Sequence, residues 1–204
     1  MESKYYRSWH LAKNPTELKV TEFEYVLARV FEAFARWVTA ASDMLVDSDI
    51  KFSEHLILHV IRMQNRPKSG TTIARMINRD DLPNIQYSLR KLEAAKLIKK
   101  TRDRGAKTFS YSVTKLGERM TSEYANIRSE LFIKNLSAIA DIESRLVDTT
   151  QVLSVLTGIY EEAARNSATY NSAMYSDQPV LAEEARDTLP APKAKRRRLR
   201  AVHE

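Results

Sequence analysis

Cysteine is absent from the 204-residue chain. Disulfides, thiolate metal sites, cysteine nucleophiles and thiol redox sensing are therefore excluded, and a reducing cytoplasm is the expected compartment. Glycine and histidine occur four times each. No glycine-rich phosphate cradle or nucleophile elbow is spelled out, and the carboxylates are scattered over stretches that read as helix surfaces. Neither a catalytic site nor a cofactor is expected. Charges interrupt every apolar run before it reaches membrane-spanning length. The opening MESKYYRSWH lacks the apolar centre of a secretory signal.

The chain does have enough apolar residues to fold, 43% of the total, and an uneven distribution of charge. Of the net +7, residues 75–107 carry +6 and residues 191–204 carry +5, which leaves −4 for everything else. Positive charge segregated in this way points to a polyanionic partner.

Periodicity organises the chain between these features. Residues 1–16 read as a flexible N-terminal tail. Thr21 and Glu24 match a capping box at the start of a long helix, 20–46. Phe23, Val26, Leu27, Val30, Phe31, Phe34, Val38 and Leu45 form its wide apolar face. Asp47–Asp49 end it, and Ser53 caps a second helix that turns Leu56, Ile57, Val60, Ile61 and Met63 inward. Arg66–Gly70 read as a turn. A short third helix has Ile73, Met76 and Ile77 as core contacts. A fourth helix has Pro83 in its first turn and Ile85, Leu89 and Leu92 inward.

The period then changes from helical to alternating. Leu97 and Ile98 open an extended segment, Arg102–Ala106 form a hairpin loop around Gly105, and Phe109, Tyr111 and Val113 alternate with polar residues. Thr114 caps a long helix with Leu116, Met120, Tyr124, Ile127, Leu131, Phe132 and Leu136 on its face. Asp141 caps a last one carrying Ile142, Leu146, Leu153, Leu156 and Ile159. From Asn166 the pattern fades, and 166–204 read as a disordered basic tail.

The fold class that follows is mainly α with a small two-stranded β-wing. It is a winged helix-turn-helix (52–113) flanked by long helices (20–46 and 114–165). A helix fits the major groove, and a basic hairpin beside it can hold phosphates. With Ile85, Leu89 and Leu92 inward, the candidate DNA-binding residues on the fourth helix are Asn84, Gln86, Tyr87, Arg90 and Lys91. Asn and Gln suit adenine edges, Tyr87 a thymine methyl, Arg90 guanine or phosphate, and Lys91 phosphate. Lys99 and Lys100 are phosphate candidates on the ribbon, and Arg102, Arg104 and Lys107 ring its tip.

Two stretches, YSLRKLEAAKLIKKT and FSYSVTKLGERM, resemble the recognition helix, wing and Thr-x-x-Gly helix start of the MarR family of bacterial transcription regulators. The resemblance spans roughly residues 20–165. It departs at Lys96, where the family has glycine, and at Asp103-Arg104, which stand about two residues early, so that Lys107 takes the wing arginine's register. The resemblance implies a cytoplasmic, nucleoid-associated homodimer that binds a pseudo-palindromic operator in double-stranded DNA and acts as a repressor. The extensive apolar faces of the flanking helices agree with dimerisation. It also implies a small aromatic or acidic effector, with Phe34, Arg36, Trp37, His59 and Met63 as candidate pocket residues. Ordinary interface packing is the competing reading for Phe34 and Trp37. His55 and His59 stand four apart on the second helix. Without an HExxH order they read as packed or ligand-lining side chains, and no metal is expected. Two other functions remain open from the residues alone: a nonspecific architectural, nucleoid-associated DNA-binding protein, and a winged helix that binds an acidic protein partner.

Overall fold

The computed structural model describes residues 9–45, 50–102 and 108–173, with side chains as far as residue 167. The predicted helix end at Asp47–Asp49, the hairpin tip with Arg104, Gly105 and Lys107, and the basic stretch 191–204 lie outside the described residues.

Helix α1 spans Pro15–Asp43. It starts upstream of the Thr21 cap expected from the sequence, because Asn14-Pro15 is the stronger signal. Asn14 Oδ1 accepts from the backbone N–H of Thr16 (3.0 Å) and Glu17 (2.9 Å), and proline is pre-set for a first helical turn. Thr21 lies inside the helix, buried, and donates its hydroxyl to Glu17 O (2.8 Å). The tail reading of 1–16 fails from Trp9 onward, since Trp9 packs edge-on against Tyr25 at 5.7 Å. Val38, Ala41 and Ser42 are buried at the C-terminal end of α1, but Val26, Val30, Phe31 and Phe34 are 46–58% exposed. The apolar face read from the sequence exists, and apart from the packing of Phe31 and Phe34 on Phe52 the described residues leave much of it exposed.

Helix α2 (Phe52–Arg62) is the centre of the core, with Ile57, Leu58 and Ile61 buried. Its start is tied by Glu54, whose carboxylate accepts from Lys51 N–H (3.1 Å). The predicted cap Ser53 instead accepts a hydrogen bond from Arg79 Nη1 (2.8 Å). Met63, expected inward, is half exposed because the chain leaves the helix there. Gln64 and Asn65 both have positive φ (63° and 47°). Buried Lys68 ties off this exit by donating to the carbonyls of Ile61 (3.0 Å), Arg66 (3.1 Å) and Met63.

Lys68–Ser69 form a short strand, β1, within the segment read as a turn. β1 pairs with β3 (Ser110–Val113), which also pairs with β2 (Ile98–Thr101). The sheet is three-stranded, in the order β1-β3-β2, rather than a two-stranded ribbon. Two residues are too few to show alternation, so the pairing was invisible in the sequence.

Helix α3 (Gly70–Met76) begins at Ser69, whose Oγ accepts from Thr72 N–H (3.1 Å). It buries Ile73 and Ala74, but leaves Met76, predicted as a core residue, exposed. Ile77, just past the helix, is the third apolar residue that packs against this core.

Helix α4 spans Leu82–Ala94, with Ile85, Leu89 and Leu92 at 0% exposure, as the spacing predicts. It closes through Lys96, at φ 58°. Lys96 N–H donates to Glu93 O (2.9 Å) and Leu97 N–H to Leu92 O (3.0 Å), the paired bonds of a left-handed helix stop. A lysine there carries the Cβ strain that glycine avoids. Lys96→Gly is expected to stabilise the protein by about 0.5–1 kcal/mol, read as a higher urea midpoint at unchanged slope. A lower midpoint would contradict this account of the turn.

Helix α5 (Lys115–Arg128) follows β3, and Thr114 Oγ1 caps it by accepting from Gly117 N–H (3.1 Å). The predicted long helix is interrupted by a π-helical turn at Ser129–Ile133 before the short α6 (Lys134–Leu136). Leu131 and Phe132, read as part of its apolar face, are exposed.

The chain divides into two compact units, residues 1–139 and 140–204. The described part of the second is one helix, α7 (Ile142–Ala173), which passes the Asn166 boundary where disorder was expected. Asp141 stands before it at φ 54°. Leu146, Val147, Val152, Val155 and Ile159 are exposed along α7.

Candidate nucleic-acid interface

The anchoring of α4 decides which of its side chains face solvent. Three leucine and isoleucine side chains on one face leave Tyr87 (59% exposed), Arg90 and Asn84 on the surface. Asn84 Nδ2 donates to Asp81 Oδ2 (2.9 Å) at the exposed start of the helix.

The remaining two candidates on α4 are held from within. Gln86 is half-buried, and its Oε1 accepts from the Tyr111 hydroxyl on β3 (3.4 Å). A Cβ on Gly70 would lie 2.7 Å from Gln86 Nε2, so the amide packs over the start of α3. Lys91 Nζ lies 3.7 Å from the buried Glu54 carboxylate, whose Oε1 also accepts from Ser88 Oγ (2.8 Å). Glu54 thus ties α2 to α4 through Ser88 and Lys91, and Tyr111 ties the ribbon to α4 through Gln86. The bonds that orient the outer face of α4 come from other elements. The sequence places Lys91 on the outer face and Gln86 at its flank, and helical spacing carries no information about such partners.

Lys99, Lys100 and Arg102 are exposed on and beyond β2. Lys100 Nζ sits 3.9 Å and the Arg102 guanidinium 5.3 Å from the centroid of the Phe109 ring. Phe109, which the alternation puts on the face of Tyr111 and Val113, is 43% exposed. Its place one residue before β3, diagonal to Lys100, was the available signal.

A cleft of about 760 Å³ opens beside α2 and α5, and its lining includes Phe34, Phe52, His55, His59, Met63 and Arg128. Phe34, His59 and Met63 were predicted to line a pocket. Trp37 instead stacks near Phe132 at 6.5 Å, and Arg36 lies beside a separate concavity along α1 with Val26 and Arg29. His55 and His59 meet Nε2 to Nε2 at 3.0 Å, both packed on Tyr124 at 4.6 and 4.8 Å. Burial is the main cause that lowers both pKa values from 6.5 to about 4. The His59 charge adds to it for His55, and the Arg62 and Arg128 charges for His59. Among the described residues no group of three or more His, Cys, Asp or Glu could hold a metal ion, and no helix is long and apolar enough to cross a membrane.

Comparison with curated proteins finds no match. The winged helix DNA-binding domain matches residues 51–117, which run from the start of α2 to Gly117. Among solved structures, the chain is similar to the Staphylococcus aureus MepR–DNA complex, at 19% identity and TM-score 0.55 over 66% of this chain and 97% of that one. It is similar to a MarR family transcription regulator at 14% identity and TM-score 0.58, over 74% and 97%. It is also similar to the transcriptional regulator BldR from Sulfolobus solfataricus at 17% identity and TM-score 0.56, over 69% and 98%. This chain therefore matches the winged helix DNA-binding domain over residues 51–117 and has the fold of MarR family transcription regulators.

Proposed function

We infer that the protein is a homodimeric transcription regulator that binds a pseudo-palindromic operator in double-stranded DNA and represses until a small aromatic or acidic molecule releases it. The observation that carries this reading is the joining of α4 and the ribbon. The exposed Tyr87 and Arg90 stand on a helix whose flank is bonded, through Gln86, to the sheet that bears Lys99 and Lys100. A recognition helix reads base edges, and cations beside it hold the backbone. The MepR–DNA complex, similar in fold, supports DNA as the partner.

The uncovered apolar residues of α1 support self-association, since an isologous dimer would cover both copies at once. Two recognition helices would then lie about 34 Å apart, one turn of DNA. The cleft beside α2 has an apolar wall and the cations Arg62 and Arg128 at its edge, which suits an aromatic acid. Such a molecule would act by binding two dimer geometries unequally.

The test is binding to fragments from upstream of its own gene against random duplex, across a salt series. A regulator keeps a preference of about 10³ or more. Equal affinity for all sequences with a steep salt dependence would identify an architectural protein instead. Loss of all DNA binding, with capture of acidic protein partners, would identify a protein-binding winged helix.

A further inference from the structure

Strand register sorts the cations of the ribbon by face. In the antiparallel β2–β3 pair Ile98 stands opposite Val113, Lys99 opposite Ser112 and Lys100 opposite Tyr111. Successive side chains alternate between faces, so Ile98, Lys100, Tyr111 and Val113 share one face and Lys99 and Ser112 the other. Ile98 and Tyr111 are buried, which makes theirs the inner face, and it is this face that reaches α4 through Tyr111 and Gln86. Continued one residue beyond each strand, the alternation brings in Arg102 and Phe109. There Lys100 and Arg102 converge on one aromatic ring, at 3.9 and 5.3 Å, within the reach of a cation–π contact.

A ring 43% exposed adds little to the core. Its contacts are with two long cationic side chains. Ordering them at the moment of binding would oppose binding. Two cations held on one ring from positions two apart on one strand face make a receptor for the oxygens of a phosphodiester.

We propose that Phe109 is a positioning residue whose ring holds Lys100 and Arg102 as a preset clamp on one backbone phosphate of double-stranded DNA, on the α4 side of the ribbon. Lys99, on the opposite face, takes no part in it. The proposal rests on the DNA-binding reading above. It does not need the operator, because phosphate contacts are independent of sequence.

The probe is a fluorescent mixed-sequence duplex of about three helical turns, titrated at low salt with the full chain. Phe109→Leu should keep the wild-type melting temperature and weaken binding about fivefold, whereas Phe109→Tyr should bind like wild type. With Lys100 and Arg102 both changed to Met, adding Phe109→Leu should weaken binding no further. With Lys99→Met, it should still weaken binding about fivefold. The same loss in the Lys100→Met/Arg102→Met background would show that the ring acts through the fold and would overturn the clamp. No loss from Phe109→Leu in a wild-type protein that binds the duplex would also overturn it, and would leave the DNA-binding reading standing. A wild-type protein that binds no duplex at all would sink both.

Discussion

Gly117→Ala is expected to destabilise the protein by roughly 3 kcal/mol or more, although it adds a single methyl group to a helix. The reason is the position of the Leu97 carbonyl. A Cβ at residue 117 would lie 2.1 Å from Leu97 O and 3.1 Å from Leu97 C, both backbone atoms that no rotamer change can move. That oxygen already accepts from Thr114 N–H (3.0 Å) and from the Thr114 hydroxyl (3.2 Å), which also donates to Lys96 O (2.7 Å). Making room for the methyl therefore means pulling the start of α5 away from the end of α4 and opening the junction that fixes the ribbon. The overlap exceeds an ångström, and the displaced bonds add their own loss. Helix propensity would favour alanine by about 1 kcal/mol, so the expected sign is opposite to that of an ordinary helix glycine. Urea denaturation at fixed protein concentration reads the difference. A stabilised Gly117→Ala protein would mean that α5 does not approach Leu97 as described.

The fold was legible where one element's own spacing decides the outcome. Ile85, Leu89 and Leu92 lie on one helical stripe, and all three are fully buried. Thr114 and Gly117 sit at cap spacing, and the cap forms. The left-handed stop at Lys96 followed from a resemblance that places glycine there. Legibility ended where the deciding partner is far away in sequence. Ser88 is held by a carboxylate 34 residues away and Gln86 by a hydroxyl 25 residues away. Helical spacing puts Ser88 beside the buried stripe and Gln86 on its flank, but it names neither partner. The α1 start was misplaced for another reason: Thr21 and Glu24 match a capping box in spacing, but Asn14 begins the helix first. On the ribbon, alternation puts Phe109 on the face of Tyr111 but does not give its exposure, because Phe109 stands one residue before β3, beyond the buried pairs.

Lowering the pH from neutral toward 5 is expected to cost this protein stability through His55 and His59, before the ordinary carboxylates begin to titrate. Both rings are packed against Tyr124, and one Nε2 donates to the other at 3.0 Å. His55 Nδ1 is buried with no hydrogen-bond partner among the described residues. A proton on either ring would be desolvated. That burial is the main reason both pKa values fall to about 4; the His59 charge adds to it for His55, and the Arg62 and Arg128 charges add to it for His59. The sign follows from where the protons go. Unfolded histidines take up protons near pH 6.5 while the folded pair stays neutral, so the unfolded state holds more protons between 6.5 and about 4. Stability is complete above that window and is lost as pH falls through it, on the order of 2 kcal/mol per ring by pH 5. His59→Gln keeps an amide to bond with His55 and removes one titrating ring together with its charge. The urea midpoint should then fall less steeply between about pH 7 and 5 than in the wild type. Parallel curves for the two proteins would show that the folded state takes up protons on His59 as readily as the unfolded chain, and that the ring is not held neutral in the cleft.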